Sequence, residues 1–145
     1  MVAIPYPFTI MNRSSIITLF HYGTGLMDAV TGLCLLFFPI WTLEMMKVTA
    51  RPDDANLTSY IGVFVLTVGC SQFLAGKFPT DLISAERWKT IWKITSLVRF
   101  CVAFFVLSKV LSSEFDPAWI SVTLTDFSVA MVFTIMLSLK KLDPQ

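Results

Sequence analysis

The feature that most constrains this chain is the length of its nearly charge-free segments. Three segments of more than 20 residues hold at most one charged residue each, and a fourth contains only Arg99 until it is extended to the flanking Trp92 and Lys93. Crossing the hydrocarbon core of a bilayer takes about 20 mostly apolar residues. The sequence therefore predicts four transmembrane helices. They lie near residues 15–38, 59–76, 90–111 and 118–139.

Composition and periodicity exclude the main alternatives. Of the 145 residues, 55% are hydrophobic and 14% are charged, which is too apolar for an ordinary soluble domain. Runs such as CLLFF at 34–38 and FCVAFFVL at 100–107 are apolar on every side, so they lack the alternation of a membrane β-strand. A net charge of +1 gives no electrostatic basis for binding nucleic acid. We expect an all-α polytopic membrane protein whose four helices form one bundle domain over residues 1–145.

A short helix is predicted after the first span. Pro39 is a residue favoured in the first turn of a helix, and the residues up to Lys47 mix large apolar side chains with two charges. This pattern predicts an interfacial helix that lies on the outer membrane surface.

The distribution of cations predicts the orientation. Four spans place both termini and the middle loop on one side of the membrane, and that side holds seven Lys and Arg residues against three on the other. Loops rich in Lys and Arg stay in the cytoplasm. We therefore expect both termini to be cytoplasmic.

Three charged residues lie within the predicted spans. Each of Asp28, Arg99 and Asp126 would cost roughly 2.5–3.5 kcal/mol if it faced lipid at mid-bilayer. With a rise of about 1.5 Å per residue, all three fall at a similar depth. The sequence predicts a central polar layer in which Arg99 pairs with at least one aspartate.

Helical spacing predicts which faces pack. His21, Gly25, Asp28 and Gly32 share one face of the first helix. The second helix carries Gly62, Gly69 and Gly76 at steps of seven, with Gln72 beside them, and small residues in register let membrane helices approach closely.

The central layer has two interpretations. In the structural one, Arg99 neutralises one or both aspartates and holds three helices in register. In the functional one, the surplus carboxylate titrates and carries a proton, or binds a cation or a quinone headgroup. A third alternative places one of these residues against another subunit.

No catalytic set or metal site is predicted. His21 is the only histidine and cannot alone supply both axial ligands of a haem; we expect it to be a structural residue bonded to local hydroxyls of Thr18, Tyr22 or Thr24. The three cysteines lie in separate spans and form no metal-binding motif. No motif encodes a cofactor, although the 13 Phe residues leave contact with lipid, quinone or pigment open.

The segment from Gly25 to Gly32, GLMDAVTG, followed by Pro39 and Thr42-Leu43 and combined with Arg99 and Asp126, resembles small four-helix bacterial membrane proteins. The layout is similar to that of the DoxX-like group. That resemblance implies a bacterial inner membrane and a link to quinone-side redox complexes. It assigns no residue a catalytic role.

These features lead to two functional hypotheses. The first is a non-catalytic accessory or structural subunit of a larger membrane complex, in respiratory or photosynthetic electron transfer, whose partners are the lipid bilayer and other membrane subunits. The second is a small quinone-linked or proton- or ion-conducting membrane protein that uses Asp28, Arg99, Asp126 and His21.

Overall fold

The computed structural model describes residues 13–48 and 54–142, and every regular element in these ranges is a helix. The long helices are joined by short connections. The elements are α1 (Arg13–Phe37), α2 (Pro39–Met45), α3 (Asp54–Phe73), α4 (Leu82–Leu111) and α5 (Ile120–Ser138), with a short 3-10 turn (Pro117–Trp119) leading into α5.

Three of these segments are long and apolar enough to cross a membrane. They are α1, α4 and the continuous segment Pro117–Ser138. Helix α3, which has 20 residues, is not among them. The structure thus shows an all-helical fold with three candidate membrane-spanning helices in the described ranges, and it does not confirm the fourth predicted span.

Two helices extend beyond their predicted bounds. Helix α3 begins at Asp54 rather than near residue 59 and ends at Phe73 rather than at residue 76. Helix α4 begins at Leu82 rather than near residue 90. The prediction followed the apolar segment, but a charged residue does not end a helix, and the first turns of α4 continue through Arg87 and Lys89. The start of α4 is fixed by Asp81 instead.

Asp81 forms a reciprocal cap with Ser84. The Asp81 carboxylate accepts a hydrogen bond from the Ser84 backbone N–H at 2.9 Å, and the Ser84 hydroxyl accepts one from the Asp81 N–H at 3.4 Å. Such a cap satisfies backbone donors that the first turn leaves free. The bond from Ser84 also holds the pKa of the exposed Asp81 carboxyl below its ordinary range.

The short helix predicted after the first span is present as α2. Pro39 occupies its start, as its fixed φ angle favours. Thr42 and Leu43 are buried, whereas Trp41 and Met45 are exposed. This two-sided distribution suits a helix on a membrane surface, which stays a prediction.

Helices α1 and α3 form a tightly packed antiparallel pair. A Cβ atom added at Gly32 or Gly69 would lie under 3.0 Å from backbone atoms of the facing helix, and one at Gly62 would lie 2.7 Å from the backbone N of Leu36. Real Cβ atoms do not approach backbone so closely, so these positions accept only glycine at the present helix separation. The two backbones meet because these side chains are missing.

Helices α4 and α5 form a second antiparallel pair, and large side chains join the two pairs. Trp88, Trp92 and Phe133 are fully buried between them. The rings of Trp92 and Phe133 stack at 4.6 Å, and Phe20 of α1 meets the Phe133 ring edge-on at 5.5 Å. The core is therefore aromatic where the pairs meet and glycine-lined within the first pair.

Candidate functional site

The structure brings together the three charged residues that the sequence places at one depth. Arg99 donates from Nη2 to the Asp28 carboxylate and from Nη1 to the Asp126 carboxylate. Its side chain is 4% exposed, so the guanidinium is a buried bridge between α1 and α5. A planar guanidinium suits this task because its N–H groups diverge in a fixed fork.

A second polar contact lies two helical turns away. Trp92 donates from its indole Nε1 to Nδ1 of His21 at 2.8 Å. The His21–Trp92 and Asp28–Arg99 pairs both join residues 71 positions apart. Helices α1 and α4 therefore run parallel and stay in register over seven residues, the repeat at which helices supercoil around each other. These two pairs fix both the direction and the register of the contact.

His21 uses both ring nitrogens. Because Nδ1 accepts from Trp92, Nε2 carries the hydrogen and donates to the Gln72 carbonyl oxygen at 2.9 Å. The ring also stacks on Trp88 with centroids 4.1 Å apart. The hydrogen-bond partners of the His21 ring come from α3 and α4 and are not the hydroxyls of Thr18, Tyr22 or Thr24. That part of the prediction was wrong because it considered only neighbours in the sequence.

Gln72 is a fully buried residue of α3 that lies at the contact with α1. Its Oε1 lies 2.9 Å from the Thr24 hydroxyl, which also lies within hydrogen-bond distance of the carbonyl oxygens of Phe20 and His21. A hydroxyl has one hydrogen, so only one of these three acceptors receives it. The Gln72 side chain lies directly over Gly25, where an added Cβ would be 3.0 Å from its own Cβ.

Four buried polar atoms have no hydrogen-bond partner among residues 13–48 and 54–142. They are Gln72 Nε2, Ser96 Oγ, Arg99 Nε and Thr123 Oγ1. Native interiors leave few such groups unpaired, since each costs about 1–3 kcal/mol. Gln72 lies on α3, Ser96 and Arg99 lie on α4, and Thr123 lies on α5.

The layer carries unbalanced charge. Two carboxylates beside one guanidinium leave a formal charge of −1 when both acids are ionised. The Asp126 side chain is 16% exposed and that of Asp28 is 9% exposed. The arrangement can therefore hold one proton, and Asp126 is the more accessible acid.

Four of the five glycines predicted to pack helices lie at the α1–α3 contact, namely Gly25, Gly32, Gly62 and Gly69. Gly76 does not, because α3 ends at Phe73 and Gly76 adopts a φ of +71° in the following turn. Its carbonyl oxygen accepts from the Tyr22 hydroxyl at 2.5 Å and from Trp88 Nε1 at 3.3 Å. Gly76 thus shapes a turn and binds through its backbone.

Trp88 and Phe133 were not among the predicted site residues, although they lie at the contact between the two helix pairs. The sequence contained a signal for Trp88, since Trp88, Trp92, Ser96 and Arg99 follow the face of one helix. Phe133 lies seven residues after Asp126 and on the same face of α5. Aromatic residues are common throughout this chain, so only position on a polar face distinguished these two.

An open groove of about 590 Å³ lies on the outside of the α1–α5 contact. Its lining is mostly apolar, with the hydroxyls of Thr24, Thr125 and Ser128 along it.

Comparison of this chain with protein-family models, with curated proteins and with solved structures finds no match.

Proposed function

We propose that this chain is an integral membrane protein of four transmembrane helices that serves as a non-catalytic accessory subunit of a larger membrane complex. The proposal is based on the hydrogen bonds that the central polar groups make with one another and with neighbouring helices. Arg99 bonds both aspartates, and both nitrogens of His21 are bonded. Side chains held in this way fix helix positions.

The fourth span is supported by the packing of α3. Its 20 residues give a length of about 30 Å, which matches the hydrocarbon core. Contacts with α1 run from His21–Gln72 at one end to Leu36–Gly62 at the other. Because α3 lies against α1 between these two contacts, α3 occupies the same depth in the membrane as α1. We infer that α3 crosses the bilayer packed against α1.

Cysteine labelling tests the fourth span. On a background without native cysteines, Asp54→Cys and Ser113→Cys should react with an impermeant reagent from outside intact cells, whereas Ser84→Cys should react only after permeabilisation. If α3 does not cross, Asp54→Cys and Ser84→Cys will behave alike. Four spans put both termini on one side, and the excess of seven cations over three supports the cytoplasm for that side.

The exposed surface supports the accessory role. Large apolar side chains are exposed along α1, α3, α4 and α5, and aromatic residues such as Phe37, Phe64 and Phe104 are among them. Aromatic side chains supply large contact areas to other membrane helices, to lipid, or to the rings of quinones and pigments. A respiratory or photosynthetic electron-transfer complex of a bacterial inner membrane is the host that we propose on this basis.

Purification from native membranes tests the accessory role. In two mild detergents, native mass analysis should find the chain with the same partner subunits at a constant ratio. Deletion of the gene should lower the amount of that complex, with an unchanged rate per assembled complex. Isolation as a lone protein of 16.3 kDa with its own transport or redox activity would contradict the proposal.

A second candidate function is favoured by the unbalanced charge. The surplus carboxylate of the Asp28–Arg99–Asp126 layer and the apolar groove beside α1 and α5 together suit a quinone-linked or proton-conducting protein. Reconstitution into liposomes separates the two candidates, because a conducting protein should dissipate an imposed pH gradient and an accessory subunit should leave it intact.

A further inference from the structure

Three of the four unpartnered buried atoms belong to Gln72, Ser96 and Arg99, whose positions along their helices place them at the Arg99 layer or just to one side of it. The 71-residue offset that pairs α1 with α4 places Ser96 at the level of Gly25. Gln72 covers Gly25 from α3. Arg99 lies one turn further along α4 than Ser96. The region is therefore bounded by the His21–Trp92 pair on one side and the Asp28–Arg99 pair on the other.

The chemistry of these atoms selects the ligand. Arg99 Nε is a donor, Gln72 Nε2 is a donor, and the Ser96 hydroxyl both donates and accepts. A metal cation would satisfy neither N–H group and would lie next to a guanidinium. An anion would lie next to a layer that already carries formal charge −1. Water both donates and accepts, and buried waters typically make about three hydrogen bonds to polar groups left unpaired by the protein.

We propose that the bundle binds internal water between Gln72, Ser96 and Arg99 Nε, and that this water supplies an exchangeable proton to the Asp28–Asp126 pair. The proton comes from the aqueous phase, passes through the bound water and ends on a carboxylate oxygen. The formal charge of the layer changes from −1 to 0. The site is thus a hydrated site that holds one proton. This proposal does not depend on whether the chain belongs to a larger complex.

The surrounding groups are consistent with one exchangeable proton. The charged and titratable side chains that face this layer in the described chain are Asp28 and His21 on α1, Arg99 on α4 and Asp126 on α5; α3 contributes only the amide of Gln72. A guanidinium has no acceptor atom for a further proton. His21 already donates from one nitrogen and accepts at the other. The two carboxylates remain as the groups that take up the proton.

Infrared spectroscopy of the full chain in lipid nanodiscs tests this site. A protonated aspartate gives a carboxylic C=O band that shifts when its hydrogen exchanges for deuterium. The band should be present in the wild-type protein and altered in Asp28→Asn or Asp126→Asn. After transfer to D2O, the wild-type band should shift promptly, and Ser96→Ala should slow that shift at least tenfold.

Matched variants keep the test specific. Ser108→Ala removes a serine hydroxyl from the same helix, where it donates to the Phe105 carbonyl oxygen, and should leave the exchange rate unchanged. Tryptophan fluorescence, which reports the buried Trp88 and Trp92, verifies that Ser96→Ala is folded. If Ser96→Ala does not fold, Gln72→Leu replaces it and should slow exchange in the same way. The proposal is overturned if no protonated aspartate band exists, or if a folded Ser96→Ala or Gln72→Leu protein exchanges at the wild-type rate.

Discussion

Helix α1 packs against α3 and also against α4 and α5, and the two contacts use different chemistry. Against α3, Gly32 and Gly69 let the backbones meet without intervening side chains. Against α4 and α5, polar and aromatic side chains span the gap, with Arg99 and Trp92 as the directional contacts. The first contact depends on shape and the second on hydrogen bonds with defined partners.

The difference shows how each contact resists misalignment. In a membrane, apolar helices gain little by leaving lipid for each other, so close packing and polar bonds decide their arrangement. The glycine contact sets how closely α1 and α3 approach. The polar contact sets which residues face each other, because a shift of one turn would leave Asp28 and Arg99 unpaired. Changes to each contact should therefore have different consequences.

The largest effect is expected for Arg99→Leu. This change leaves two carboxylates without their cation, and breaking a buried ion pair from one side costs about 3–5 kcal/mol. Lys89→Leu is the matched control, because Lys89 lies nearer the end of the same helix and pairs with the exposed Glu86. Denaturation in detergent should show a much lower free energy of unfolding for Arg99→Leu than for Lys89→Leu. Equal losses would mean that the ion layer does not hold the bundle.

A smaller loss is expected for Gly32→Ala. The new methyl group would overlap the Leu66 backbone and force α1 and α3 apart, at about 1–3 kcal/mol. Gly23→Ala is the control, because nothing lies within 4 Å of a Cβ at that position. Its stability in the same unfolding assay should be unchanged or raised, since alanine favours the helix by about 1 kcal/mol. If the two variants are equally stable, the close α1–α3 approach is not required.

The smallest effect is expected for Trp92→Phe. This change keeps an aromatic ring against Phe133 but leaves the buried Nδ1 of His21 without its hydrogen-bond donor, at about 1 kcal/mol. Trp41→Phe, at an exposed position on α2, should be neutral by comparison. A double-mutant cycle with His21→Phe should show a coupling between residues 21 and 92. If no coupling is measured, the His21–Trp92 bond does not help to fix the register of α1 and α4.

The sequence predicted the parts of this account that follow from depth and spacing. Asp28, Arg99 and Asp126 could be placed in one layer because a charge in a bilayer needs a partner and the helical rise locates each one. The partners of His21 could not be predicted, since they depend on which helices are neighbours and in which direction they run. Gly76 was misassigned because an apolar segment continued past the point where α3 ends.

We propose that the Asp28–Arg99–Asp126 layer holds the helices in register and is not a turnover site. Its most direct test is the combined variant Asp28→Asn, Arg99→Gln and Asp126→Asn, which removes every charge of the layer while keeping size and hydrogen-bonding capacity. The measurement is the amount of host complex assembled in native membranes and the electron-transfer or transport rate per assembled complex. For the combined variant, we expect less assembled complex with a normal rate per complex. Full assembly with a rate lowered tenfold or more, equivalent to about 1.4 kcal/mol in the barrier, would contradict it.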